Sequence, residues 1–173
     1  SSAASDVYKR QLMAAHGHGD GMVTGATRKS AQVLELINHV FDAQASDGVV
    51  GVSAVLLRGR LVLIADTLVH EWPEEEDLAD IAERAAHVAR SLGLEPRVAF
   101  VSFSNFGYPV SERAEKMHVA PSILDSRGVD FEYDGEMTAD VALNPRVMAQ
   151  YPFCRLTGPA NVLVVPVSYT HLR

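Results

Sequence analysis

A chain of 173 residues that is 47% hydrophobic and 21% charged has globular composition, which excludes disordered and collagen-like classes. Its net charge of −7 argues against phosphate-backbone binding, because nucleic-acid affinity rests on Lys and Arg neutralising phosphates; no nucleic-acid partner is expected. The single cysteine, Cys154, leaves no internal disulfide. With no bilayer-length apolar run and no signal-peptide pattern, the expectation is a cytoplasmic protein without a membrane partner.

The two ends stand apart. Ser1 to Gln11 reads SSAASDVYKRQ and Val167 to Arg173 reads VSYTHLR. Neither string continues the pattern beside it, and Pro166 ends an apolar run abruptly. Both resemble translated adaptor sequence, so the expectation is a domain cut short at both ends, with non-native tails at 1–11 and 167–173. Both tails are net basic, which leaves the remainder more acidic still.

In chain order, Gly21 to Thr24 is expected as a short apolar strand, followed by the loop Gly25-Ala26-Thr27-Arg28-Lys29. Val33, Leu34, Ile37, Val40 and Phe41 recur at three- and four-residue steps and predict a helix over about 30–43. Val49 to Leu57 and Leu61 to Ala65 are rich in Val and Leu, and Arg58-Gly59-Arg60 between them supplies a turn, so a β-hairpin is predicted. Pro73 followed by Glu74, Glu75, Glu76 and Asp77 starts a helix, since carboxylates favour the positive end of the macrodipole. Its apolar stripe is Leu78, Ile81, Ala82, Ala85, Ala89 and Leu92, and Gly93 closes it. Val98-Ala99-Phe100-Val101 is apolar without alternation, as in a strand covered on both faces. A helix over about 111–126 should be kinked or divided by Pro121. Phe131 and Tyr133 mark another strand, Asn144-Pro145 a short helix, and Asn161 to Pro166 a last buried strand. Strands alternating with helices predict right-handed βαβ units: an α/β fold with a mainly parallel sheet and helices on both faces.

Ligands of such sheets gather at the carboxyl ends of strands. Four places there carry polar groups. In Gly25 to Ser30, Thr27, Arg28, Lys29 and Ser30 precede a helix whose unpaired N–H groups favour an anion; a phosphate site and a solvated helix cap both fit. Asp66 follows the hairpin, and Ser104 and Asn105 follow the buried strand. Ser104 and Asn105 can hydrogen-bond a ligand, but for Ser104 a turn role is the better assignment, and no nucleophile-elbow sequence surrounds it. Asp134 and Glu136 are two carboxylates at a strand end, where general-base work and helix capping both fit and capping is commoner. His16, His18 and Asp20 have ligand spacing but lack a further ligand, and His70-Glu71 does not form a zincin motif. Cys154 reads as a packing residue and Trp72 as a staple at the start of a helix.

As an ordered set, GMVTGATRKS at 21–30, VLIADTLVHEWP at 62–73, LEPRVAFVSFSNFG at 94–107, DFEYDGEMTADVALNP at 130–145 and LTGPANVLVVP at 156–166 resembles the phosphate acetyl/butyryltransferase family. FEYDGEM and YPFCRLTGPANVLV bring it nearest to the phosphotransacetylase-like C-terminal module of bacterial NADP-dependent malic enzymes. The resemblance implies an isocitrate/isopropylmalate dehydrogenase-like architecture of two α/β subdomains facing across a cleft. Residues 12–45 would be a remnant of the first and 46–166 the second. It implies acetyl-CoA or a related acyl-CoA as ligand, a homo-oligomer, and Thr27, Arg28, Lys29, Ser30, Asp66, Ser104, Asn105, Asp134 and Glu136 as the residues near that ligand. The family's Ser-Arg catalytic segment would lie beyond the end of this sequence, so no residue here is assigned as catalytic. Near Glu35 transferases carry an arginine, and a carboxylate there would repel an acyl phosphate. The resemblance therefore implies an acetyl-CoA-sensing regulatory and assembly module, with NADP and a divalent metal held elsewhere in a malic enzyme. The alternative is part of a working phosphate acetyltransferase.

Overall fold

The computed structural model describes residues 2–23, 32, 35, 37, 50–65, 73–109 and 112–165. The chain divides into two compact units, Ser1–Val49 and Val50–Arg173.

In the first unit, helix α1 (Ser2–Ala15) includes the stretch set aside as a tail and runs from it without a break into Leu12–Ala15. It ends where Gly17 takes a left-handed conformation, φ +75°, which lets the His18 N–H reach back to the Met13 carbonyl. The strand expected at 21–24 does not form over 21–23: Val23 is 97% exposed and pairs with nothing among the described residues. Met22-Val23 is only a two-residue apolar run, and so short a segment is buried only by pairing with another strand. Of the helix expected at 30–43, Gln32, Glu35 and Ile37 are described, and all three are helical.

The second unit is built on one five-stranded sheet. Strands β1 (Val52–Leu57) and β2 (Arg60–Ala65) form the expected antiparallel hairpin, with Leu57 opposite Arg60 across a two-residue turn. Arg58 (φ +50°) and Gly59 (φ +79°) both take positive φ, the turn whose twist suits a hairpin. Strands β3 (Arg97–Val101), β4 (Glu132–Met137) and β5 (Val162–Val164) complete the sheet in the order β1-β2-β5-β3-β4. The β2–β5, β5–β3 and β3–β4 pairings are parallel, so the sheet is mixed rather than uniformly parallel.

Helix α2 (Glu75–Ser91) follows the acidic start predicted for it, with the Asp77 carboxylate accepting the Glu74 N–H at 2.9 Å. Gly93, at φ +76°, closes its far end. Helix α3 (Glu112–Arg127) lies beside it, joined through Arg127, whose guanidinium sits 2.6 Å from both Asp80 and Glu83. Pro121 does not divide α3, which is one helix through that position. Pro121 is buried there, between the core residues Met117, Ala120 and Leu124, and this packing holds the helix where the missing N–H would otherwise open it. Two short helices, α4 (Ala139–Leu143) and α5 (Pro145–Met148), come before β5.

Strand alternation creates two cores. Leu63, Val98, Phe100, Val162 and Val164 meet α2 and α3 on one face. Val62, Ala99, Val101, Met137 and Leu163 meet Val141, Ala142, Met148 and Leu156 on the other. The unalternating run Val98–Val101 is therefore covered on both faces, as its composition predicts. No helix among the described residues is long and apolar enough to cross a membrane.

Candidate functional site

β3 and β4 run in register from Arg97↔Glu132 to Phe100↔Gly135, then skip to Val101↔Met137, leaving Glu136 as an extra residue on a bulge. Only glycine fits beside it. At Gly135 the backbone has φ +146°, and a Cβ would stand 2.7 Å from the Phe100 carbonyl oxygen and 2.8 Å from the Phe100 Cβ.

The bulge turns the Glu136 side chain into a fully buried position under the loop that leaves β3. There its Oε1 accepts hydrogen bonds from the Ser104 hydroxyl (2.8 Å) and the Gly107 N–H (2.7 Å), and its backbone carbonyl accepts the Phe106 N–H (2.7 Å). Its Oε2 lies 3.1 Å from His118 Nδ1 on α3. The loop is shaped for this. Phe106 (φ +50°) and Gly107 (φ +89°) form a tight turn closed by reciprocal Asn105–Tyr108 backbone hydrogen bonds.

The chemistry of the cluster follows from exposure. Ser104 and Glu136 are both fully buried, and the Ser104 hydroxyl is spent on the Glu136 carboxylate. His118 is 56% exposed. A carboxylate accepts hydrogen bonds, so it favours the imidazole tautomer with hydrogen on Nδ1 and leaves Nε2 available as an acceptor. Of the side chains in this cluster, that of His118 is the one open to solvent. It does not stand out in the sequence, because it meets Glu136 across a helix and a strand and has no local motif around it.

The other site residues separate. Asn105 Oδ1 accepts from the Thr138 N–H (2.7 Å) and hydroxyl (3.0 Å), fastening the β3 loop to the residue after β4. Asp134 and Glu136, read from the sequence as strand-end carboxylates open to general-base work or helix capping, are both buried within β4, because the strand continues through Met137, and neither caps a helix. Their side chains do different work. Asp134 accepts the Arg155 N–H at 2.7 Å and the Gly135 N–H at 2.9 Å, which pins the 150s loop to the sheet. Arg155 also reaches Asp125 at 2.7 Å and lies 4.9 Å from the centre of the Tyr133 ring. The Tyr133 hydroxyl donates to Asp125; burial, then that carboxylate, push the phenol up to about 12. Asp125 is held below the usual carboxylate range, first by Tyr133 and then by Arg155. Next to them, burial foremost and Asp134 in addition raise the Cys154 thiol to about 11, consistent with its packing role. Thr27, Arg28, Lys29, Ser30, Asp66, His70, Glu71 and Trp72 lie outside the described residues. Among the described residues no group of three or more His, Cys, Asp or Glu could hold a metal ion, His16, His18 and Asp20 included.

The fold has counterparts among known proteins. The sequence profile of the family "Phosphate acetyl/butaryl transferase" matches residues 3–168. The chain belongs to this family. Among its relatives, the NADP-dependent malic enzyme of Rhizobium meliloti is 57% identical over 158 residues, 91% of this chain and 21% of that protein. The phosphate acetyltransferase of Bacillus subtilis is 31% identical over 92% of this chain and 50% of its own length. The crystal structure of a phosphotransacetylase from Streptococcus pyogenes superposes with a TM-score of 0.80 at 25% identity, covering 93% of this chain and 50% of that one. The transferase-family chain thus spans about a fifth of the malic enzyme and half of the acetyltransferase.

Proposed function

We propose that this chain is part of the phosphotransacetylase-like module of an NADP-dependent malic enzyme, where it senses acetyl-CoA and contributes to assembly. The observation that carries this reading is the 57% identity to a malic enzyme over 91% of the chain, against 31% to an acetyltransferase. The site supports it chemically: Ser104, Asn105, Asp134 and Glu136 are spent on internal hydrogen bonds, which suits a module that holds a shape rather than one that transfers an acyl group from these residues. In this reading two subdomains of isocitrate dehydrogenase-like architecture face across a cleft, with Thr27, Arg28, Lys29 and Ser30 receiving phosphates of acetyl-CoA and Asp66 nearby. NADP, a divalent metal and the conversion of malate to pyruvate and CO2 belong to other parts of the parent enzyme. Assembly is supported by β1, an edge strand with Val55, Leu56 and Leu57 exposed.

Sensing requires that acetyl-CoA bind two states of the enzyme differently. Malate oxidation by the complete parent protein, measured with and without acetyl-CoA, should change in rate or malate affinity; an identical response would sink the reading. Replacing Arg28 and Lys29 with alanine should weaken acetyl-CoA binding by about tenfold or more. A second reading, a phosphate acetyltransferase, is favoured by the similarity to the Bacillus enzyme over half its length. Formation of acetyl-CoA from acetyl phosphate and CoA by the same preparation would select it.

A further inference from the structure

We propose that a depression between the β1–β2 turn and the α4–α5 junction binds a small phosphate-bearing anion of nucleotide size, held by Arg58, Arg60 and Arg146. The depression has a volume of about 700 Å³, within the range of small-molecule sites. The hairpin turn sets two of the guanidinium groups. Arg58 and Gly59 make the turn, and Arg60 is the first residue back on β2, so both arginines project from one tip. Arg60 Nη2 donates to the Leu143 carbonyl at the end of α4 (3.3 Å), which directs that side chain across the depression. Arg146 enters from α5, where the Asn144 side chain accepts its backbone N–H (3.1 Å).

Charge pairing separates this cluster from the arginines that tie helices and loops of the fold together. Arg90, Arg127 and Arg155 each lie on a carboxylate at 2.6–2.8 Å. Arg58, Arg60 and Arg146 make no ion pair among the described residues, although the chain carries 22 acidic residues to 15 basic. One carboxylate, Asp140, lines the depression, and its Oδ1 accepts the Thr138 hydroxyl. Three guanidinium forks against one carboxylate favour an anion that accepts several hydrogen bonds at once, as phosphate oxygens do. Leu57, Leu143, Ala139 and Pro145 supply apolar wall for an organic body attached to it.

The depression is separate from the Ser104–Glu136–His118 cluster. Arg60 opens β2 at the amino end of the parallel strands, whereas Ser104 and Glu136 lie at their carboxyl end. The proposal therefore does not depend on the malic-enzyme reading.

Calorimetric titration of the full chain at low salt, with ADP and inorganic pyrophosphate as probes, tests it. Saturable one-to-one binding that weakens as salt is raised is expected. The double variant Arg58→Gln/Arg146→Gln should lose about tenfold or more in affinity, and Arg58→Lys/Arg146→Lys, which keeps the charge but not the fork, should fall between it and the parent. The Arg10→Gln variant, with the charge change of one of these substitutions, should stay within about twofold. Thermal midpoints within a few degrees of the parent's establish that the variants fold. Absence of saturable binding, equal affinity in the Gln double variant, or a change in that variant's oligomeric mass with unchanged ADP affinity would each overturn the proposal; the last would assign the arginines to a protein contact.

Discussion

Glu136 accepts hydrogen bonds from the Ser104 hydroxyl beneath the surface and from the N–H of the exposed Gly107, so removing its carboxyl strands the buried hydroxyl. An unsatisfied buried donor costs about 1–3 kcal/mol, and Glu136→Ala adds a cavity, which together predict a loss of about 2 kcal/mol or more. Glu136→Gln retains an acceptor of the same shape and should lose less than half as much. Urea denaturation of the two variants decides it; an alanine variant within about 1 kcal/mol of the parent would show that the cluster does not hold the loop. Gly135→Ala tests the same bulge from the backbone. Its Cβ would press on the Phe100 backbone at a φ that L-residues rarely adopt, so a loss of about 2–4 kcal/mol is expected. At this scale the site was half legible. Ser104 and Asn105 follow β3 as their place in the sequence predicts, but Asp134 and Glu136 fall within β4, and period-two alternation cannot foresee a bulge that inverts where a carboxylate points. Nor can spacing along the chain bring His118 to Glu136, because that contact depends on how α3 packs on the sheet.

Most elements could be read from the sequence because each had a strong local cause: the acidic start and alanine stripe of α2, the positive-φ turn of the hairpin, the doubly covered run of β3. The exceptions are those where tertiary packing overrides a local rule. Met22-Val23 has apolar residues but pairs with nothing among the described residues, and α3 has a breaker but a core to lie on. That second case can be measured. Pro121 forfeits a hydrogen bond and carries a helix-interior penalty of about 3 kcal/mol, while it is buried next to Met117 and Leu124. Pro121→Ala removes the penalty and gives back part of it as lost packing, about 1–1.5 kcal/mol for the missing methylenes. The net expectation is a gain of about 1–2 kcal/mol in urea denaturation. A loss would mean that α3 is shaped around the ring rather than in spite of it.

Across the whole molecule, Arg155 links elements distant in sequence, and the groups around it set a stability profile with two limbs. Asp125 is held low by the Tyr133 hydroxyl and then Arg155, so the folded state releases its proton more readily than the unfolded chain. Its contribution is fully present above the unfolded pKa of 3.8 and is lost as pH falls through the folded value. Cys154 and Tyr133 behave in the opposite sense. Burial raises the thiol from 9.0 to about 11 and the phenol from 10.0 to about 12, so the folded state keeps these protons longer than the unfolded one. Their stabilising effect is complete below the unfolded values and lost as pH climbs through the folded ones. Thermal midpoints should therefore be level between about pH 5 and 9 and decline on either side, with the alkaline decline spread over about pH 9–12. Cys154→Ala should flatten the early part of that limb while leaving the acid limb in place. An alkaline limb unchanged by this substitution would mean that the 150s loop releases its thiol to water without disturbing the Asp134–Arg155 latch, and that Tyr133 alone carries the alkaline response.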